Sequence, residues 1–243
     1  MKLKLGLILF ALGFLGVLSL LTATIPMSDE IAELSPIVVK LLTLMSPTIM
    51  LLIAVIIGTL LYDKVNLSVP VLSSLLKKES AWTILLQHLK FGIPLGLLAG
   101  LVIMLVAWIF NAIIPHEFEK LGNVEVTLFV RFGYGGITEE VLLRFGVMTL
   151  FVWVISKLSK KLNDPIYWIG IALSTILFAL GHFPVAFASV SAPSLTLLTY
   201  ILIGNSVGGI VYGWLYWKKG LEAAIIAHMF THLAIVLLGL IQM

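Results

Sequence analysis

Long apolar stretches separated by short polar connections run along the whole 243-residue chain. A helix needs about 20 apolar residues to cross a hydrocarbon core of about 30 Å. The pattern predicts seven such helices, over residues 4–24, 38–62, 92–114, 127–156, 166–184, 195–217 and 221–242. Residues 67–89 carry an interrupted amphipathic pattern, which we interpret as an eighth, broken or interfacial segment. We therefore expect an all-α fold, a polytopic membrane helix bundle of about seven transmembrane helices.

Composition agrees with a membrane protein and excludes several kinds of chemistry. Charged residues make up 11% of the chain, against about a quarter in soluble domains, and hydrophobic residues make up 60%. The mean hydropathy of +1.15 leaves no room for a separate soluble domain. Cysteine is absent, which excludes disulfides, thiolate catalysis and cysteine-ligated metal. The net charge of +3 does not indicate nucleic-acid binding, because the lysines cluster in loops beside the predicted spans.

The distribution of lysine and arginine predicts the orientation of the bundle. With the N-terminus in the cytoplasm, 11 of the 15 Lys and Arg residues lie on the inner side and 3 on the outer side. This bias follows the positive-inside rule, so we expect a multi-pass protein of the cell membrane with a cytoplasmic N-terminus. The first stretch resembles a signal peptide, but its apolar run exceeds the usual length of about 7–15 residues. We interpret it as a retained span, with a cleaved leader as the alternative.

The ionisable residues Glu139, Glu140 and Arg144 lie inside the fourth predicted span, which also contains the only other arginine of the chain, Arg131. Such groups are costly at bilayer depth and by default mark a functional site. Residues four apart share a helix face, so Glu140 and Arg144 are expected to form an ion pair. Glu139 points about 100° away from that face, where it can face a cavity and perform chemistry. The alternative interpretation is structural, with all three residues forming a neutralised clasp between helices.

A glycine-rich run, residues 133–136, comes just before these charged residues. We expect it to break the fourth span, which is tolerated where a helix lines protein or a water-filled cavity. Thr138 would then cap the following helix, with both glutamates in the first turn, where the helix dipole favours negative charge.

Three histidines lie in later apolar segments. His182 closes the fifth span, where a lone histidine is more often a core residue bonded to a backbone carbonyl. His228 and His232 are four residues apart and share a face of the seventh span. Such a pair can bind zinc, although the glutamate of the His-Glu-x-x-His signature is missing between them. Asn205, in the sixth span, is expected to form a helix–helix hydrogen bond.

Together these residues resemble a known family, the CPBP or Abi intramembrane proteases, which include the CAAX prenyl endopeptidases and bacteriocin-processing or immunity proteins. The resemblance rests on three motifs in order: Glu-Glu-x-x-x-Arg, Phe-x-x-x-His, and His with a polar residue four positions later. The matching residues are Glu139, Glu140, Arg144, Phe178, His182, His228 and His232. The resemblance covers residues 126–243, a catalytic core of four spans, and leaves residues 1–125 as N-terminal spans with the interfacial segment.

Two positions depart from the family pattern. The family usually has Asn or Asp where this chain has His232, and a glycine directly after the arginine, where here Phe145 precedes Gly146. Histidine can still donate a hydrogen bond, so the first departure affects only the detailed role of position 232.

The resemblance implies an endopeptidase that hydrolyses peptide bonds without a covalent intermediate. Glu139 with His182 would position and deprotonate a water that attacks the scissile carbonyl. The two histidines of the seventh span would donate hydrogen bonds to the developing oxyanion. Glu140 and Arg144 would hold Glu139 in place.

Other interpretations stay open from the sequence. Glu139 and the three histidines would also suit a zinc metalloprotease, although we favour the metal-free mechanism and expect no cofactor. A non-catalytic immunity or partner-binding membrane protein is a second class, and a proton-coupled transporter a third. Against the transporter, the chain shows no pair of corresponding broken helices. The expected partners are a peptide or membrane-protein substrate and the lipid bilayer, and no nucleic acid.

Overall fold

The computed structural model describes residues 1–23, 35–122 and 126–242, which form helices and no strands. Position 24, the predicted end of the first span, lies outside these ranges. The helices are α1 (Lys2–Ser19), α2 (Pro36–Leu61), α3 (Pro70–Leu76), α4 (Trp82–Ile113), α5 (Pro115–Gly122), α6 (Val130–Ser159), α7 (Asp164–Leu180), α8 (Phe183–Ser189), α9 (Leu195–Lys218) and α10 (Leu221–Gln242).

Seven helical segments of the described chain are long and apolar enough to cross a membrane, which confirms the predicted helix bundle. They are α1, α2, α4, α6, α7 with α8, α9 and α10. The Nζ of Lys2 lies 2.6 Å from Oδ2 of Asp63, just after α2. The start of the first span and the end of the second therefore lie on the same side, as the alternation of the predicted loops requires.

The prediction of a broken or interfacial segment over residues 67–89 is only partly correct. Pro70–Leu76 forms a short separate helix, whereas residues from Trp82 onward belong to the 32-residue helix α4. His88 explains the difference, because its side chain is buried and its Nε2 lies 3.0 Å from the carbonyl oxygen of Lys219. This contact with the turn before α10 makes the first two turns of α4 part of the bundle.

The predicted break in the fourth span is wrong. Helix α6 continues through the glycine run with π-helical hydrogen bonding over Val130–Glu139 and again over Val141–Met148. Thr138 is not an N-cap, because its hydroxyl donates to the carbonyl oxygen of Gly13 in α1 at 2.7 Å. A Cβ on Gly133 would lie 3.3 Å from the Cα of Gly16, so the missing side chains let α1 approach the backbone of α6. The run therefore widens the helix instead of ending it.

Helices α4 and α10 run parallel and pack closely through a row of glycines. A Cβ on Gly92 would lie 2.8 Å from the Cγ2 of Ile226, and one on Gly100 would lie 2.6 Å from the Cβ of Ala234. Between them, Thr231 Oγ1 donates to the carbonyl oxygen of Gly96 at 2.9 Å. Small residues and such hydrogen bonds are common at helix interfaces in membranes. This packing fixes α10 and the two histidines that it carries.

Candidate active site

A cavity of about 420 Å³ lies between α4, α6, α9 and α10, next to the junction of α7 and α8. Its walls are mostly apolar, and a small set of polar and aromatic side chains faces it. Those relevant to chemistry are Arg131, Glu139, His182, Tyr212, His228 and His232. Four of the six residues predicted from the sequence therefore share one cavity. The other two, Glu140 and Arg144, do not line it and lie beneath its wall.

The predicted ion pair between Glu140 and Arg144 is present. Oε2 of Glu140 accepts from Nε of Arg144 at 3.3 Å, and both side chains are fully buried. Nη1 of Arg144 donates to Oγ of Ser174 in α7 at 3.1 Å, and the guanidinium lies 5.6 Å from the ring centroid of Phe178. A buried charge needs such partners, because an uncompensated one costs several kcal/mol.

Glu140 also contacts His228 of the seventh span, and this contact was not predicted from the sequence. Its Oε1 lies 2.9 Å from Nδ1 of His228. The opposite ring nitrogen, Nε2, lies 3.9 Å from Oε2 of Glu139. Two neighbouring carboxylates of α6 thus face the two nitrogens of one imidazole. Glu139 keeps 16% of its side-chain surface exposed and Glu140 none, so only Glu139 is accessible from the cavity.

Three rings form a stack along the cavity wall. Tyr212 of α9 lies parallel to His228 with ring centroids 4.4 Å apart, and His232 lies on the other face of His228 at 4.9 Å. A Cβ on Gly135 would lie 2.6 Å from Nε2 of His232. The glycine run of α6 therefore makes room for this second histidine.

His182 lies at the junction between α7 and α8. Its Nδ1 is 2.9 Å from the carbonyl oxygen of Phe178. Because a carbonyl only accepts, this nitrogen carries the proton and Nε2 of the neutral ring is an acceptor. The ring of Phe178 meets His182 edge-on at 4.9 Å and His228 edge-on at 6.0 Å. His182 therefore makes the backbone contact expected of a core histidine and also lines the cavity.

The prediction for Asn205 is wrong. Its Nδ2 donates to the carbonyl oxygen of Ile201 at 2.8 Å, within its own helix, and does not bridge two helices. One turn of α9 satisfies this donor locally, while the residue lines the cavity.

Besides Arg131, two residues of this site were missed from the sequence: Ser174 and Tyr212. Ser174 is a polar residue inside the fifth span, four positions before Phe178 and therefore on the same helix face. Tyr212 is seven positions after Asn205, again on one face. In each case the periodicity could have indicated a polar stripe, but not the partner across the helix interface.

The arrangement of the histidines does not fit a zinc site. Among the described residues, no group of three or more His, Asp or Glu side chains has the geometry to hold a metal ion. The rings of His228 and His232 lie face to face, with ring centroids 4.9 Å apart and an interplanar angle of 20°. Tetrahedral zinc needs ligand nitrogens that converge on one point. We therefore assign no chemical step to a metal.

Comparison with known proteins gives one match. The model of a family described as type II CAAX prenyl endopeptidase Rce1-like matches residues 101–234, which is more than half of the chain. The matched region runs from α4 into α10 and contains all six candidate site residues. The chain matches no curated protein and no solved structure.

Proposed function

Because this chain belongs to the Rce1-like family of type II CAAX prenyl endopeptidases, we propose that it is an intramembrane endopeptidase that uses a water activated by Glu139 and His182. Membership of the family makes it a CAAX-type membrane protease with a peptide or membrane-protein substrate. The observation that carries the finer proposal is the cavity that Glu139 shares with His182, His228 and His232. Peptide hydrolysis uses a general base, a second group that hydrogen-bonds and orients the attacking water, and hydrogen-bond donors for the oxyanion.

In the proposed mechanism Glu139 is the general base and His182 orients the water. Nε2 of His182 accepts one hydrogen bond from the water, because its Nδ1–H is committed to the carbonyl oxygen of Phe178. The Glu139 carboxylate takes the second water proton as the oxygen attacks the carbonyl carbon. The same proton then passes to the leaving nitrogen as the C–N bond breaks, so that Glu139 is restored as a carboxylate.

His228 and His232 are the proposed donors to the oxyanion. Nδ1–H of His228 donates to Glu140, so its Nε2 is a donor when the ring carries both protons. The carboxylates of Glu139 and Glu140 on either side compensate the charge of that imidazolium. A preorganised donor of this kind is typically worth about 3–4 kcal/mol in the transition state.

Glu140 and Arg144 are positioning residues in this proposal. Neither lines the cavity, and their ion pair links α6 to α7 through Ser174 and to α10 through His228. The pair holds Glu139, which directly precedes Glu140 in α6, beside His228.

The proposal is tested by comparing membrane-peptide profiles of the wild type and a Glu139→Gln strain. A peptide that accumulates uncleaved in the variant would identify activity and substrate together. With that peptide and purified protein, we expect Glu139→Gln and His182→Ala to abolish cleavage while circular dichroism and oligomeric size stay unchanged. Turnover retained by either variant contradicts its assigned role. Zinc at one equivalent in the active protein, with activity lost on its removal, would replace the metal-free mechanism.

We also propose that the protein resides in the cell membrane with its N-terminus in the cytoplasm. The lysine-rich side of the bundle supports this orientation.

A further inference from the structure

The lysine-rich end of the bundle is closed by packed residues. The segment between α2 and α3 covers the ends of two helices there. Tyr167 of α7 donates its hydroxyl to the carbonyl oxygen of Val65 at 2.9 Å. The backbone N–H of Leu221, at the start of α10, donates to the carbonyl oxygen of Ser68 at 3.0 Å. Because Val65, Tyr167 and Leu221 are all buried, a polypeptide cannot enter between these helix ends without displacing them.

A buried layer separates this closed end from the cavity. Tyr216 of α9 is fully buried, and its hydroxyl lies 2.9 Å from Oγ1 of Thr149 in α6. Tyr212, one turn earlier in α9, stacks on His228 and forms the floor of the cavity. The described residues that line the cavity all lie beyond this layer, on the side away from the lysine-rich end.

The cavity instead extends toward the opposite end of the bundle. Tyr200 and Tyr212 both line it, and the interval between them in α9 corresponds to about 18 Å along the helix. Leu121 of α5 and Val126, just before α6, also line the cavity. These two residues belong to the connection between the third and fourth spans, so the cavity reaches the end of the bundle where that connection lies.

Helix α5 marks the membrane surface at this end. Its Lys120 is exposed, whereas Phe118 packs on Tyr200 with ring centroids 4.6 Å apart. The Glu117 carboxylate accepts from the backbone N–H and the hydroxyl of Ser194 at 2.9 and 2.6 Å, which fixes α5 to the start of α9. A short helix with a charged face and an aromatic face is typical of a membrane interface. The rim of the cavity therefore lies at a membrane surface.

The charge pattern assigns that surface to the outer side. The ion pairs of Lys2 and Lys218 lie at the closed end, together with most of the other lysines. The positive-inside rule places such an end in the cytoplasm.

We propose that substrate enters the cavity from the outer side of the membrane, so that the protein cuts apolar polypeptide segments at that surface and not cytoplasmic tails. The mostly apolar walls favour such segments, because apolar side chains leave water when they bind there. This inference rests on the proposed function, since the cavity is a substrate site only if the chain is an endopeptidase.

Cysteine accessibility tests the direction of entry without depending on turnover, because the natural chain contains no cysteine. Asn205→Cys lies deep in the cavity, and Val185→Cys lies near its rim. The probe is the charged reagent 2-sulfonatoethyl methanethiosulfonate, added to sealed membrane vesicles of either orientation. We expect both cysteines to react at least about tenfold faster from the side of Lys120 than from the side of Lys161, because a charged reagent crosses the hydrocarbon core poorly.

Ile203→Cys is the matched control, because Ile203 lies two residues from Asn205 but is exposed on the outside of the bundle and does not line the cavity. It should stay unlabelled from both sides. Faster reaction of the cavity cysteines from the Lys161 side, equal reaction from both sides, or no reaction of either overturns the proposal. So does labelling of Ile203→Cys at the same rate, or a cytoplasmic location of Lys120.

The peptide that accumulates in the Glu139→Gln strain separates this inference from the proposed function. Proteinase K added to intact cells should shorten that peptide, and release on washing distinguishes a soluble exported peptide from the outer segment of a membrane protein. A peptide that accumulates but is degraded only after the membrane is opened overturns the outer entry alone. If cleavage persists in the variant and nothing accumulates, the proposed function fails, while one-sided labelling of the cavity stands.

Discussion

At the scale of single residues, Glu140 joins three helices through one carboxylate. Its Oε2 accepts from Arg144 on α6, its Oε1 faces Nδ1 of His228 on α10, and Arg144 continues the link to Ser174 on α7. Glu139 has the same chemistry but keeps contact with the cavity. The different surroundings of the two adjacent carboxylates give them different proposed roles.

Glu140→Gln should be harmful although it preserves the shape of the side chain. An amide carries no charge to offset Arg144, and loss of one partner of a buried ion pair typically costs about 3–5 kcal/mol. We expect a clear drop in thermal stability together with a fall in kcat. Both are measured on the purified variant, with Glu119→Gln on the exposed surface of α5 as the control. A variant as stable and active as the wild type would show that the pair is dispensable.

Position 232 tests the proposed oxyanion donors. His232→Asn keeps a donor and should retain kcat within about tenfold, whereas His232→Leu should lower kcat by about 100-fold with little change in KM. Steady-state kinetics of the two variants provide the comparison. Full activity in the leucine variant would exclude hydrogen bonding by this residue from the mechanism.

At the scale of helices, the π-helical part of α6 determines which side chains meet. It places Gly135 against His232 and Thr138 against the carbonyl of Gly13, while Glu139 faces the cavity. A π-turn inside a longer helix is frequently found at a functional site. The contacts of α6 with both α1 and α10 explain why this part of the helix keeps π-helical hydrogen bonding.

Gly135→Ala should disturb the site more than the fold. The added Cβ would lie 2.6 Å from Nε2 of His232, so the ring must move. We expect activity to fall at least tenfold, because small misplacements of catalytic groups are costly, while the thermal midpoint changes little. Gly239→Ala in α10 is the control, since a Cβ there meets no atom within 4 Å. Equal activity of both variants would contradict the assigned packing around His232.

Local spacing and hydropathy predicted a large part of this arrangement. The seven spans follow from the length of the apolar segments, and the Glu140–Arg144 pair follows from the four-residue spacing of the two side chains on one helix. The contact of Glu140 with His228 spans 88 residues of sequence, and no periodicity within one helix encodes it. The glycine run was interpreted as a break because glycine has weak helix propensity, but packing against α1 outweighs that preference.

At the scale of the whole molecule, the spans agree with the charge pattern from which the topology was predicted. Lys2 pairs with Asp63 across the first two spans, and Lys218 lies 3.8 Å from Asp164 at the ends of α9 and α7. Both ion pairs join ends that the topology assigns to the inner side.

Orientation is accessible to a simple labelling experiment, because the natural chain contains no cysteine. In intact cells a membrane-impermeant maleimide should label Lys120→Cys, on the predicted outer side, and leave Lys161→Cys, on the predicted inner side, unlabelled until the membrane is opened. Both positions are exposed. The unmodified protein is the background control. The reverse labelling pattern would place the N-terminus outside the cytoplasm.

The apolar walls of the cavity have a practical consequence for purification. A space of about 420 Å³ falls within the range of small-molecule binding sites and is lined by few polar groups. Detergent alkyl chains are therefore expected to enter it during solubilisation and compete with substrate. Turnover should fall as the micelle concentration rises and should recover when the detergent is exchanged for lipid.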